Sequence, residues 1–183
     1  MGQNNQKLEQ IIEVISENAG KELKVRDMTK LTKIPRTSIS RYLKTLRKLK
    51  VIDKENKLII NNYTKFLRSA MIIEKLYTIG LIGYLEAKLV PSVIIIFGSA
   101  RKGEHTKESD IDLFVETTKS ANLDLSTFEK KIKHKIQLFT EQEIEKLPKE
   151  LFNNVVNGIK LSGYLRLRIM KKAKLLNQMS LLY

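Results

Sequence analysis

The sequence predicts an α/β domain, a mixed sheet with flanking helices, preceded by a small module of three helices and a hairpin. Three observations carry this. Val93-Ile94-Ile95-Ile96-Phe97 is an unbroken apolar, β-branched run that stops at Gly98-Ser99, the pattern of a strand buried on both faces. Ser109 to Val115 reads as a second strand, with carboxylates at Asp110 and Asp112. Before residue 62 the apolar residues recur with a helical period, and the last of those helices carries a dense basic face.

In chain order, Leu8, Ile11, Ile12 and Ile15 predict a first helix to about Asn18, with Gly20 as its stop. Val25 to Leu31 predicts a second. Pro35 is expected in the first turn of a third, after the break at Lys33-Ile34. On that third helix Ile39, Leu43, Leu46 and Leu49 form the apolar stripe. Arg36, Thr37, Ser38, Ser40, Arg41, Lys44, Arg47 and Lys48 occupy the other face. Val51-Ile52 and Lys57 to Ile60 flank the polar turn Asp53-Lys54-Glu55-Asn56, which predicts a two-stranded hairpin. Tyr63 to Ile79 is a long helix repeating Phe66, Leu67, Ala70, Met71, Ile73, Leu76 and Tyr77 with a helical period, its aromatic and Met positions expected in the core. Gly80 and Gly83 interrupt it, and a further helix runs to about Leu89. After the two strands, a helix is expected over Leu125 to Lys133 and a third strand over Lys135 to Phe139. Helices follow at Glu141 to Leu147 and Lys149 to Val156, then a short strand at Gly158 to Leu161. A basic amphipathic helix over Tyr164 to Leu182 closes the chain. The expected division is 1–62, linker helices over 63–90, and the α/β domain over 91–183.

Side chains alternate along a strand, so Asp110 and Asp112 share one face. Adjacent carboxylates repel, and a divalent cation relieves that repulsion. The segment Phe97-Gly98-Ser99-Ala100-Arg101-Lys102-Gly103 followed by Ser109-Asp110-Ile111-Asp112-Leu113 resembles the active-site core of the polymerase-β-like nucleotidyltransferases, in particular their minimal members. The resemblance covers roughly residues 90 to 165. It implies the α/β nucleotidyltransferase fold, with Gly98, Ser99, Arg101 and Ser109 at the nucleotide's phosphates. It also implies Asp110 and Asp112 as metal-binding, catalytic residues. Mg²⁺ or Mn²⁺ would be the ion and an NTP, ATP first, the substrate. The family usually has a third carboxylate on the next strand, completing the metal site and helping to deprotonate the acceptor. This chain has Gln137 there, which is uncharged and a poor base. Glu104, Glu108 and Glu116 are the possible substitutes. His105 and His134 are expected at the surface.

The helix–helix–basic helix–hairpin order of residues 1–62 resembles the winged helix-turn-helix, which implies double-stranded DNA as a partner. Arg36, Thr37, Ser38, Ser40, Arg41, Lys44 and Lys48 would face the duplex. The bulk charge agrees: 34 Lys and Arg against 20 Asp and Glu give +14, which favours polyanionic partners or, more simply, a solubilising surface. No apolar run is long enough to span a membrane, because Glu74, Lys75, Glu86 and Lys88 break Ile72 to Val90. The polar start Met1-Gly2-Gln3-Asn4-Asn5-Gln6 is not that of a signal peptide, and there is no cysteine. A cytoplasmic location is expected, and the helices of 63–90 are a possible homodimer surface. The reading is a Mg²⁺-dependent nucleotidyltransferase with a DNA-binding winged helix, moving an NMP from an NTP to an acceptor hydroxyl. The alternative is a DNA-binding transcriptional regulator whose transferase domain is catalytically degenerate.

Overall fold

Helical periodicity in the first fifty residues becomes three helices: α1 (Gln3–Glu17), α2 (Val25–Thr32) and α3 (Arg36–Lys48). The computed structural model describes residues 3–18 and 21–166. The expected stop at Gly20 lies outside them. Pro35 stands just before α3 as its N-cap, one position earlier than expected. Ile11 and Ile15 of α1, Met28 of α2 and Ile39, Leu43 and Leu46 of α3 bury completely against one another and Val51. Leu49 departs from its expected place. It is the C-cap of α3 and 47% exposed, while Tyr42 fills the stripe instead. The hairpin is smaller than expected, a single antiparallel bridge between Ile52 and Leu58. Asp53 closes its turn by accepting from the backbone N–H groups of Glu55 and Lys57, each at 2.8 Å.

Two helices join this module to the sheet. α4 (Asn62–Thr78) begins in a reciprocal cap, Asn61 accepting from Thr64 N at 2.9 Å and Thr64 Oγ1 from Asn61 N at 3.0 Å. α5 (Leu81–Leu89) follows Gly80, whose φ of +83° makes the turn. Gly83 lies inside α5 and does not interrupt it. The buried stripe of α4 is Thr64, Arg68, Ile72 and Leu76, spaced by four. Phe66 and Tyr77 fall off it and are 65% and 47% exposed, against the expectation that they lie in the core. Leu67 and Met71 pack on the first core, whereas Ile72 and Leu76 belong to the core under the sheet. α4 therefore serves both.

The sheet comprises β1 (Val93–Phe97), β2 (Ile111–Glu116), β3 (Ile136–Glu141) and β4 (Ile159–Gly163), in the spatial order β3-β2-β1-β4. β1 runs antiparallel to β2 and β4, and β2 parallel to β3, so the sheet is mixed as expected. One face, with Ile94, Ile96, Leu113 and Val115, packs on α4 and α5. The other, with Val93, Ile95, Phe97 and Phe114, packs on α8 (Lys149–Val156) through Val155. α6 (Gly98–Lys102) follows β1, and α7 (Ser126–Ile132) precedes β3.

Several boundaries differ from expectation, and β4 runs on to Gly163 instead of ending at Leu161. β2 starts at Ile111, so Ser109 and Asp110 lie in the loop before it. β3 continues to Glu141, and the helix expected over Glu141 to Leu147 is only a 3₁₀ turn at Ile144–Lys146. Its cause is Glu116, whose Oε1 accepts the Ile144 N–H at 3.0 Å, while Glu141 O accepts Thr117 N–H at 2.8 Å and extends the ladder. Tyr164, Leu165 and Arg166 carry no helix; Tyr164 N–H instead bonds Ser92 O at 2.7 Å. The rest of the expected tail helix lies outside the described residues.

Candidate functional site

β1 ends at Phe97 and the chain turns directly into α6. Gly98 takes φ +68°, a conformation side chains rarely adopt. A Cβ at this position would stand 2.0 Å from Asp112 Oδ2 and 3.0 Å from its Cγ. The glycine is therefore required by the carboxylate lying over it. Asp112 is the ladder partner of Phe97 on one side and of Gln137 on the other. Ladder partners point to the same face of a sheet, so Gln137 flanks Asp112 directly. The Gly98-Ser99 turn, Asp112 and Gln137 thus line up across one end of three neighbouring strands. The rings of Phe97 and Phe139, 5.4 Å apart, lie on the same face.

Asp110 is exposed and Asp112 half-buried. Burial first, and the charge of Asp110 second, hold the Asp112 carboxyl above its ordinary range. The electrostatics are those of a pair that a cation would relieve. Ser99 is half-buried at the start of α6. Arg101 is half-buried too, and its Nε is buried without a partner among the described residues. The Ser109 hydroxyl closes the loop before β2, accepting Thr106 N–H at 2.9 Å.

The three substitutes for a third carboxylate are elsewhere. Glu116 is four residues along β2 from Asp112, buried, accepting from Ser92 Oγ at 2.5 Å as well as from Ile144 N–H. It is committed to holding the chain at the far end of the strand. Glu104 pairs with Lys65 at 2.6 Å. Glu108 is exposed in the loop. Among the described residues, no three of His, Cys, Asp or Glu are grouped to hold a metal ion.

A family model described as Nucleotidyltransferase domain matches residues 80–176, more than half of the chain. The chain belongs to the nucleotidyltransferase domain family. No curated protein and no solved structure matches it. The match begins at the turn before α5 and takes in the sheet, the Gly98-Ser99 turn and both aspartates. Nucleotidyltransferase domains typically use an NTP and a divalent metal. Two carboxylates at a glycine turn fit a hard cation that takes its remaining ligands from phosphate oxygens and water.

One structural pair escaped the sequence reading. Arg68 is only 7% exposed, and its Nη1 donates to Gly103 O at 2.7 Å while its Nη2 donates to His105 O. It ties α4 to the loop between α6 and β2. The available signal was its place in the Thr64, Arg68, Ile72, Leu76 stripe, where a cation must find buried acceptors. His105, expected at the surface, is also buried, and that burial first, then the Arg68 and His134 charges, lower its pKa to about 4. His134 is half-buried, its Nδ1 2.8 Å from Ser109 O.

On α3, Arg36, Thr37, Ser40, Arg41, Lys44 and Lys48 are all exposed on one side, with Ser38 half-buried at its edge. Arg41 lies over the Tyr42 ring, 5.3 Å from its centroid.

Proposed function

We propose that this domain transfers an NMP from an NTP, ATP first among them, to an acceptor hydroxyl, breaking the bond between the α- and β-phosphates and releasing pyrophosphate. The observation that carries the proposal is Gly98 folded beneath Asp112, which brings the glycine turn and the carboxylate into contact. In this reading Gly98 admits phosphate oxygens to the backbone, and Ser99 donates to them. Arg101, and Ser109 through its loop, line the triphosphate's path, and Arg101 neutralises part of its charge. Asp110 and Asp112 hold Mg²⁺ or Mn²⁺. A bound divalent ion would neutralise charge on the phosphates and on the leaving group. Gln137 can orient an acceptor hydroxyl or a water but cannot take its proton, so the proton passes to solvent or to the acceptor's own groups.

The basic face of α3 supports a second element. Residues 1–62 act as a winged helix that binds duplex DNA, with Arg36, Thr37, Ser38, Ser40, Arg41, Lys44 and Lys48 toward the phosphates and groove. The alternative, a DNA-binding regulator with a degenerate transferase domain, draws its support from Gln137 in place of a carboxylate. Incubation with α-labelled NTPs and Mg²⁺ or Mn²⁺, with and without duplex DNA, separates the two. Label transferred by wild type and lost in Asp112→Asn supports the transferase. DNA binding with no transfer under any of these conditions supports the regulator.

A further inference from the structure

A cavity of about 520 Å³ opens between α1, α4 and the loop after α6. None of Gly98, Ser99, Asp110, Asp112 or Gln137 lines it. Its helical wall is acidic. Glu9, Glu13 and Glu17 recur every four residues along α1, and Glu74 contributes from α4. In a chain of net charge +14 this concentration of carboxylates runs against the average. Glu13 is answered by Lys75 at 2.7 Å and Glu17 by Lys133 at 3.6 Å. Glu9 and Glu74 have no ion pair among the described residues. Burial, then the Glu74 charge, raise the Glu9 carboxyl above its ordinary range.

Other groups on the lining are unsatisfied. Arg68 and His105 line the cavity at 7% and 9% exposure, and Arg68 Nε and His105 Nδ1 are buried with no partner among the described residues. Ser16 Oγ, on α1, is in the same condition. Buried polar atoms are nearly always paired, so three orphans around one cavity point to a missing partner. Met71 and Ile72 add apolar surface. A volume of this size suits a metabolite-sized molecule.

We propose that this cavity binds a small organic cation, an amine or guanidine, that also bears a carboxylate. Its positive charge answers Glu9 and Glu74, its carbon chain lies on Met71 and Ile72, and its carboxylate accepts from Arg68 Nε–H, with His105 and Ser16 beside it. The occupant touches the loop that joins Gly98 to Asp110, because His105 belongs to that loop and the cavity-lining His134 bonds the Ser109 carbonyl. The site is independent of whether the domain transfers nucleotides.

Calorimetric titration of the full chain with γ-guanidinobutyrate, and separately with citrate as a purely anionic counterpart, tests this. γ-Guanidinobutyrate binds wild type, and Glu9→Gln and Glu74→Gln each weaken it by about tenfold or more, the size expected when a hydrogen bond to a charged group is removed. Met71→Trp, which fills the cavity without altering its charge, also blocks γ-guanidinobutyrate. Thermal melts confirm that each variant is folded. The proposal fails if γ-guanidinobutyrate does not bind wild type at millimolar concentration. It fails equally if the Glu9→Gln, Glu74→Gln double variant and Met71→Trp bind as wild type does, or if citrate is bound in its place.

Discussion

Replacing Gly98 with alanine separates two costs that usually coincide. The first is backbone strain: a non-glycine residue at φ +68° costs about 1–2 kcal/mol. Gly→Ala also stiffens the unfolded chain, which returns roughly 0.4–1 kcal/mol. The net loss is about 1 kcal/mol, and the melting temperature of a chain this size should fall by only about 2–4 °C. The second cost falls on the site. The new Cβ would lie 2.0 Å from Asp112 Oδ2, the free end of a rotatable side chain, so the carboxylate turns away and the backbone stays. Metal-dependent nucleotide binding should then weaken by about tenfold or more, as when a charged hydrogen bond is removed. Gly103→Ala is the contrast. There the Cβ would meet Lys65 O at 1.9 Å, a backbone atom that cannot rotate aside, so stability should suffer more than at Gly98. Thermal denaturation and a fluorescent nucleotide titration with Mg²⁺ measure both quantities. A Gly98→Ala protein with wild-type nucleotide affinity, or one destabilised more than Gly103→Ala, would refute the reasoning.

Gln137→Asp should raise transfer from an α-labelled NTP, by up to about 10²–10⁴-fold if it restores a base; wild-type activity that falls on this change would show that Gln137 does not stand at the third-carboxylate position. Arg41→Ala with Lys44→Ala should flatten the salt dependence of duplex binding by a slope of about 2, one counterion for each phosphate no longer neutralised, and an unchanged slope would leave the α3 face a solvated surface. His105 is held neutral in the fold, with its pKa lowered from 6.5 to about 4, so the unfolded chain binds the proton first and stability falls as pH drops through that window. Asp112, whose carboxyl is raised, acts in the opposite sense on acidification. The His105 contribution, about 3 kcal/mol at most, is therefore read as the difference between wild type and His105→Gln in denaturant melts from pH 7 to 4. Parallel curves would contradict it.

Much of the architecture was legible because it rests on periodicity. Val93 to Phe97 is apolar without a break since both of its faces are covered, and Ile111, Leu113 and Val115 alternate with the face that carries Asp112 and Phe114. The candidate site was legible for the same reason, since strand alternation and a glycine turn fix where Gly98 and Asp112 must fall. What escaped depends on long-range partners. The segment after Glu141 has helical composition, yet Glu116, 28 residues earlier than Ile144, captures the Ile144 N–H and shortens it to one turn. Phe66 and Tyr77 look like core residues until Arg68 claims the buried stripe, and Arg68 does so because the Gly103 and His105 carbonyls await it across the fold. Burial of His105 follows from that same contact. No local pattern around a histidine announces it.

The central claim is that Asp110 and Asp112 hold a metal-bound nucleotide above the Gly98-Ser99 turn. The most direct measurement is a calorimetric titration of ATP into wild type and Asp112→Asn, each with Mg²⁺ and again with EDTA. Wild type should bind ATP only with Mg²⁺ present, and Asp112→Asn should bind it at least about tenfold more weakly under the same conditions. Equal affinity in the two proteins, or ATP binding by wild type that EDTA leaves intact, would contradict the claim.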